Sequence, residues 1–286
     1  MYITISNERL KLTVSEYGAE MVSLQLDGFE YLYTPNPDYF NRVSPVLFPI
    51  TGRFMDGYYF HNDQKYEIPL NGIAMEKNFN IEKVNDQQIK CTLVADEDTL
   101  KAYPFDFKLV VEYTLSDSEV LIDFTVTNNS DETMPYSVGN HTTFKWPLID
   151  EQDPSSYFFR FEQNETIRSF NPFGWTADFL INENIRPIHH SFYENFTRSI
   201  RDPKSKWIEY TGANCDYVVR TCREQFPFIA NWARPEKEAN LVCIEPCLSI
   251  SSHGPTMFDR EGIHSLPAGE TEKSSYQLYL YKKSEK

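Results

Sequence analysis

The chain has 286 residues and a formal net charge of −15, with 41 % hydrophobic and 15 % aromatic residues. This apolar content supports a large core and excludes intrinsic disorder. An acidic chain with a pI near 4.9 disfavours nucleic acid and anionic membrane surfaces as partners. Glycine is scarce, and neither the GxGxxG nor the GxxxxGK[ST] phosphate-binding motif occurs.

Membrane and secretory segments are not expected. The longest apolar runs, such as Pro45–Ile50, fall far short of the roughly 20 residues that a membrane-spanning helix needs. The N-terminal sequence MYITISNERL lacks a basic region followed by an apolar stretch, which a signal peptide would carry.

Alternation of apolar and polar residues dominates the chain and predicts β-strands, separated by turn pairs such as Asp27-Gly28. In chain order, the predicted strands are Ile3–Ser6, Leu10–Ser15, Glu20–Leu26, Gln88–Ala95, Phe107–Leu115, Glu119–Asn128, Tyr157–Phe161, Val218–Thr221, Leu241–Glu245 and Ser275–Tyr281. Short helices are predicted around Asp98–Tyr103 and His190–Arg198. Many short strands without βαβ alternation indicate an all-β sandwich or barrel. No linker divides the chain, so we expect one domain over residues 1–286.

Five cysteines occur, at wide spacings and in odd number. The one close pair, Cys243 and Cys247, is a weak zinc signal because no second pair of ligands accompanies it. Buried thiols of a reducing compartment are the alternative, and they predict a cytoplasmic protein.

Two polar residues stand beside rigid or aromatic segments. Arg53 ends the run Ser44–Arg53, which two prolines and a glycine make rigid. Its guanidinium suits a pair of sugar hydroxyls or a carboxylate, and a structural salt bridge is the alternative. His141 follows Gly139 and Asn140 and precedes Phe144, a setting typical of a cleft rim. It can exchange a proton near neutral pH, and a structural histidine is the alternative.

A glutamate stands at the end of an apolar strand. Glu245 follows Leu241–Ile244 directly and precedes Pro246, which stops the strand there. A carboxylate in such surroundings tends to have a raised pKa, which suits a general base. A solvated glutamate at a strand end is the alternative.

Taken in chain order, these segments resemble the aldose 1-epimerase (galactose mutarotase-like) superfamily, and in particular its LacX-type bacterial branch. The motifs that carry the resemblance are Gly18-Ala19-Glu20, Glu30-Tyr31-Leu32, Ser44–Arg53, Tyr103-Pro104-Phe105, Gly139-x-His141, Cys243-Ile244-Glu245-Pro246 and Leu266–Glu270. Their order and spacing, rather than any one of them, make it specific. The resemblance implies a large antiparallel β-sandwich with a sugar cleft on one concave face.

The resemblance also implies a reaction, the interconversion of α and β sugar anomers. Glu245 matches the base that removes the anomeric hydroxyl proton, and His141 matches the acid that protonates the ring oxygen. Arg53 matches a sugar-binding arginine. The family's chemistry needs neither a metal nor a nucleotide, so no cofactor is expected.

The residues that would surround the sugar depart from the family pattern. Asn71 stands where a second histidine is usual, and Met75 stands where an arginine is usual. Cys247 replaces a tryptophan, and Asn195 aligns with an aspartate that contacts the sugar. Four aromatic residues are candidates for packing on a sugar face, with core packing as the alternative: Phe144, Trp146, Phe226 and Trp232. Asn71, Asn195 and Trp232 are therefore predicted, with Arg53, to bind the substrate.

Three functions remain open at this point. The chain is an active mutarotase with an altered sugar preference, a weak or inactive carbohydrate-binding relative, or an epimerase-like fold that acts on something other than a hexose. The acidic charge and the loss of a cation at Met75 favour a neutral sugar over a sugar phosphate. A monomer or a homodimer is expected.

Overall fold

The structure, a computed structural model, describes residues 1–194, 197–223, 225–236 and 239–286. The strands are β1 Tyr2–Ser6, β2 Leu10–Ser15, β3 Met21–Leu26, β4 Phe29–Glu30, β5 Val46–Leu47, β6 Tyr58–His61, β7 Gln64–Glu67, β8 Asn80–Asn85, β9 Gln88–Val94, β10 Phe107–Ser116, β11 Glu119–Asn128, β12 Met134–Tyr136, β13 Gly139–Asn140, β14 Thr143–Lys145, β15 Tyr157–Phe170, β16 Thr176–Pro187, β17 Arg198–Arg201, β18 Trp207–Gly212, β19 Tyr217–Cys222, β20 Phe228–Trp232, β21 Leu241–Cys247, β22 His264–Leu266 and β23 Thr271–Lys282. One α-helix, α1, covers Glu97–Ala102. Short 3-10 helices cover Ala74–Glu76, Pro154–Ser156, His190–Tyr193, Met257–Asp259 and Lys283–Glu285.

The fold is an antiparallel β-sandwich, which confirms the predicted class. A 15-stranded sheet runs in the order β5-β13-β21-β20-β17-β15-β18-β19-β23-β11-β10-β9-β8, with β14 beside β21 and β16 beside β15. A four-stranded sheet, β1 to β4, shares one apolar core with it. In β11 every second side chain is buried, so the period of two in the sequence is the period of burial.

The predicted helix near Asp98 is present as α1. Asp96 caps it, because its carboxylate accepts from the Thr99 N–H at 2.7 Å while the Asp96 N–H donates to the Thr99 hydroxyl at 2.8 Å. In the predicted helix His190–Arg198, the described residues form a 3-10 helix over His190–Tyr193, in which Tyr193 is buried. The prediction is wrong at its end, because Arg198 belongs to β17.

The predicted strand Tyr157–Phe161 is too short, since β15 continues to Phe170 and forms a long hairpin with β16. A polar run after Phe161 breaks the alternation on which the prediction rested. The structure accommodates this run with register shifts and with a buried carboxylate, Glu165. That carboxylate accepts from the backbone N–H and the hydroxyl of Ser205, at 2.6 and 2.7 Å.

A buried ion pair fixes the segment that leads into β5. Arg42 Nε lies 2.9 Å from Glu20 Oε2, and both side chains are less than a tenth exposed. The other carboxylate oxygen of Glu20 accepts from the backbone N–H groups of Val43 and Ser44. The chain therefore enters β5 along a fixed path.

In the described ranges, no helix has both the length and the apolarity that crossing a membrane requires.

Arg42→Met is expected to lower the free energy of unfolding by about 3–5 kcal/mol, because it leaves the Glu20 carboxylate buried without its cation. Urea unfolding followed by far-UV circular dichroism measures the change. Lys83→Met is the matched control, since its ion pair with Asp86 spans 2.6 Å but is exposed. Its loss is expected to cost less than about 1 kcal/mol. Equal small losses in both variants would contradict a stabilising role for the buried pair.

Candidate functional site

Strand β21 lies inside the sheet, and all seven of its residues are buried. The predicted end of the strand at Glu245 is therefore wrong, because Pro246 pairs with Ile229 of β20 and the strand continues to Cys247. Its alternation places Cys243, Glu245 and Cys247 on one face. On one side, Cys247 pairs with Gly139 of β13 and Cys243 pairs with Thr143 of β14. Midway between these two pairs lie Glu245 on β21 and His141 on the segment that joins β13 to β14.

That register puts His141 opposite Glu245. The His141 backbone N–H donates to the Pro45 carbonyl at 3.0 Å, and the Ile244 N–H donates to the Thr142 carbonyl at 3.1 Å. His141 Nε2 lies 3.5 Å from Glu245 Oε1, and both side chains are nine-tenths or more buried. Two residues far apart in the sequence thus form one compact pair.

His141 and Glu245 begin a row of side chains that runs across the sheet, and the next members of this row are small. Ala230 of β20 lies opposite Glu245, and Ser199 of β17 lies opposite Ala230. Because neither side chain is large, space remains above the row. A cavity of about 600 Å³ occupies it, and both members of the pair line the cavity. This volume lies in the range of small-molecule sites.

Burial shifts the two titratable groups of the pair in opposite directions. It raises the pKa of Glu245 to about 8. It lowers the pKa of His141 to about 4, and the positive charge of Arg42 lowers it further. The cause is the same for both groups, since a poorly solvated site disfavours either charge. At neutral pH the pair therefore holds one proton, on the carboxyl group, and carries no net charge.

Aromatic rings pack against His141. Phe40 stacks on the imidazole with ring centres 4.9 Å apart, and Trp232 meets it edge-on at 5.7 Å. Arg234 holds this arrangement, because its Nε and Nη2 donate to the Tyr39 carbonyl at 2.9 and 2.7 Å. Trp232 is half-buried and lines the cavity, as a residue predicted to contact substrate should.

Asn71 braces one cavity wall. Its side-chain carbonyl accepts from the Gly52 N–H, and its own backbone N–H donates to the Gly52 carbonyl, both at 2.7 Å. Asn71 has a φ of +64°, which asparagine tolerates well. The next residue, Gly72, has a φ of +78°, and a Cβ there would lie 2.3 Å from the Phe48 carbonyl oxygen. The amide nitrogen of Asn71 has no acceptor among the described residues, so this donor is available at the cavity.

Two arginines have opposite roles at the cavity rim. Arg53 is exposed and lines the cavity, and its guanidinium makes no ion pair or hydrogen bond with a described residue. The structural salt bridge weighed for it is therefore not found in the described part of the chain. Arg260 is buried, and its guanidinium donates to the carbonyls of Thr51, Arg53 and Ile250 at 2.5, 3.1 and 2.7 Å. Arg260 thereby links the segment of Thr51 and Arg53 to the segment of Ile250, and both segments line the cavity.

The remaining predicted residues divide into three groups. Met75 and Cys247 line the cavity, so both departures from the family pattern lie at the site. Asn195 lies outside the described residues. Core packing is found for three of the four aromatic candidates, which are fully buried: Phe144, Trp146 and Phe226.

Sequence reasoning missed Arg260, Arg234 and Phe40. Nothing in the sequence marks them, because they act through backbone carbonyls or ring stacking rather than through a motif.

Comparison with known proteins places this geometry in a family. The sequence profile described as Aldose 1-epimerase matches residues 1–247. Protein LacX, plasmid, of Lactococcus lactis subsp. lactis is 25 % identical over 298 aligned positions, covering 98 % of this chain and 99 % of that protein. The galactose mutarotase related enzyme of Lactobacillus acidophilus superimposes with a TM-score of 0.92 at 25 % identity, covering 98 % and 97 %. A galactose mutarotase-like protein of Lactobacillus casei ATCC 334 gives 0.91 at 25 % identity, covering 98 % and 100 %.

Stability should depend on pH in a way that reports the uncharged pair. The unfolded Glu245 loses its proton near pH 4.5 and the folded one near 8, so its contribution to stability falls across that interval. The contribution of His141 to stability rises from pH 4 to 6.5, because in this interval only the unfolded imidazole binds a proton, and that advantage of the unfolded state disappears as the pH rises. The two effects offset each other up to pH 6.5.

From pH 6.5 to 8 the wild type is therefore expected to lose about 2 kcal/mol of unfolding free energy relative to Glu245→Gln. Urea unfolding in the presence of EDTA measures both profiles. Glu270→Gln, on the exposed surface, controls for removal of a single carboxylate. Parallel wild-type and Glu245→Gln profiles in this interval would contradict the uncharged pair.

Proposed function

Because the chain belongs to the aldose 1-epimerase family, we propose that it interconverts the α and β anomers of a neutral hexose such as galactose or glucose. The observation that carries the proposal is the buried pair of His141 and Glu245, 3.5 Å apart at the floor of the cavity. Ring opening needs one group that accepts a proton and one that donates a proton, both within reach of one small molecule. The pair supplies both.

In the proposed reaction, Glu245 is the base and His141 is the acid. The carboxylate takes the proton of the anomeric hydroxyl, and the imidazolium gives its proton to the ring oxygen. The bond between the anomeric carbon and the ring oxygen breaks as the aldehyde forms. Rotation of the aldehyde end and reclosure reverse both proton transfers and yield the other anomer. In each half of the reaction the sugar loses one proton to one group and gains one from the other, so its composition and oxidation state do not change.

Burial assists the ring-opening step in this scheme. The step converts a carboxylate and an imidazolium into a carboxylic acid and a neutral imidazole. These are the forms that burial favours for Glu245 and His141. Sugar hydroxyls that enter the cavity provide hydrogen bonds to the charged forms, which the dry site lacks, and so allow the proton to reach His141 before the ring opens.

A neutral sugar fits the cavity better than a sugar phosphate does. Glu76 lines the cavity, and it already pairs with Arg42 at 3.3 Å. Met75 adds no charge, which leaves Arg53 as the exposed, unpaired cation among the described residues of the rim. A phosphate is normally held by several cationic or amide donors. We propose Arg53, Asn71 and Trp232 as substrate contacts, together with Asn195, on which the structure gives no information.

A second function, sugar binding with little or no turnover, rests on one observation. The position of the usual second histidine holds Asn71, whose side-chain carbonyl is already engaged by Gly52. An amide neither carries nor transfers a proton at neutral pH. The chain is then a carbohydrate-binding relative with a weakened catalytic site.

Cellular context and domain organisation also belong to the proposal. We propose a cytoplasmic protein, since the described structure holds five cysteines and no disulfide bond. We propose one domain over residues 1–286, because both halves of the chain contribute walls to one cavity.

The purified protein is expected to accelerate the optical rotation change of freshly dissolved α-galactose or α-glucose, measured by polarimetry, and to act more slowly on their 6-phosphates. Glu245→Gln and His141→Asn are each expected to lower the rate by at least about 100-fold, because each removes one proton-transfer group. Glu270→Gln and His189→Asn are matched exposed controls and should keep wild-type rates. Sugar binding without acceleration would favour the binding relative, and acceleration that persists in either site variant would refute the assigned roles.

Asn71→His and Asn71→Asp test the part of Asn71. If it only binds the sugar, Asn71→His should raise KM several-fold and leave kcat within about 3-fold, as loss of uniform binding does. Asn71→Asp keeps the acceptor for the Gly52 N–H but removes the amide donor, so it should also raise KM. Steady-state kinetics by coupled dehydrogenase assay separates the two constants. A large rise in kcat for Asn71→His would instead identify the natural protein as a weakened catalyst.

A further inference from the structure

A thiol lies beside the buried pair. One imidazole nitrogen of His141, the Cys243 sulfur and one Glu245 carboxylate oxygen all lie within 4.8 Å of one another. The register explains the cluster, because Cys243 and Glu245 are two residues apart on one face of β21 and His141 lies opposite Glu245. All three side chains are buried.

The donor set has a clear metal preference. Nitrogen, thiolate sulfur and a single carboxylate oxygen suit Zn²⁺ or another borderline transition metal, whereas Mg²⁺ and Ca²⁺ require oxygen ligands. Donors around tetrahedral zinc are roughly 3.3–3.8 Å apart, given bond lengths of about 2.0–2.3 Å. The spacing of 3.5 Å between His141 Nε2 and Glu245 Oε1 already fits. A modest rotamer shift would bring the third donor in.

The surroundings support such a site. The hydroxyl of Thr143 lies 3.2 Å from the Cys243 sulfur, from which it can donate to a thiolate and orient it. The cavity above the pair leaves a fourth position for water. Three protein ligands with one open position are typical of zinc sites that exchange ligands.

The pairing suggested by sequence spacing does not form. Cys243 and Cys247 belong to the same extended strand. Their Cα atoms are therefore about 13 Å apart, too far for one ion. The ligands come instead from two neighbouring segments of the sheet, and sequence spacing alone does not reveal this.

We propose that His141, Cys243 and Glu245 form a zinc-binding site that inhibits the protein by occupying its proton-transfer groups. Zinc and sugar then compete, since the metal engages both groups that the sugar needs. The metal site itself is independent of the proposed function, and only its inhibitory effect depends on that function.

Cobalt substitution tests the site without any activity measurement. Titration with Co²⁺ under a non-chelating reductant is expected to produce a thiolate-to-cobalt charge-transfer band in the near ultraviolet. Cys243→Ser should abolish the band, and Cys247→Ser, a thiol on the same strand and face, should keep it. His141→Asn keeps the thiol and should weaken cobalt affinity by at least about tenfold. This second variant tests the metal site if the Cys243 variant does not fold.

Zinc competition and polarimetry complete the test. Zn²⁺ should displace Co²⁺ from the wild type and inhibit mutarotation competitively with sugar, and Cys243→Ser should need at least about tenfold more Zn²⁺ for the same inhibition. A missing band in the wild type, or an unchanged band in Cys243→Ser, overturns the proposal. If the band behaves as expected but no mutarotation is found, the metal site stands and the proposed function fails.

Discussion

A carboxyl group and an imidazole that face each other in a dry part of the sheet determine what the surrounding structure must provide. Either charge alone would carry a desolvation cost of several kcal/mol, so the pair is most stable with no net charge. Phe40 and Trp232 maintain this condition by covering His141. Ala230 and Ser199 leave room for a sugar above the pair. The cavity therefore exists because the strand pairing places small residues next to Glu245.

Strands with a regular apolar–polar alternation could be predicted from the sequence, because burial in an antiparallel sandwich follows the period of two, whereas β16, β17, β18 and β20 were not predicted. The strand β11 was predicted with its observed bounds for this reason. Prediction failed where hydrogen bonding, not hydrophobicity, decides the structure. The carboxylate of Glu165 is satisfied by Ser205, so β15 continues through a polar run that reads as a strand end.

The candidate site divides in the same way. His141, Glu245 and Arg53 stand out by their neighbours in the sequence, and the structure brings all three to one cavity. Arg260 could not be found, because its function is to bind backbone carbonyls, which every residue possesses. Cys243 was weighed with Cys247, whereas its neighbours in the structure are His141 and Glu245, and its relation to His141 depends on strand register. Residues that act through register or through the backbone leave no compositional signal.

The distance along the chain between the two members of the pair has a consequence for biogenesis. Glu245 and His141 are 104 positions apart, and β13 and β14 must pair with β21 before the two side chains meet. Contacts of such long sequence separation form late, because the loop they close is entropically costly. A newly synthesised chain therefore lacks the assembled pair of His141 and Glu245 until these strands have paired. Under the proposed function, the onset of sugar turnover would mark the end of folding and would report the completed native state.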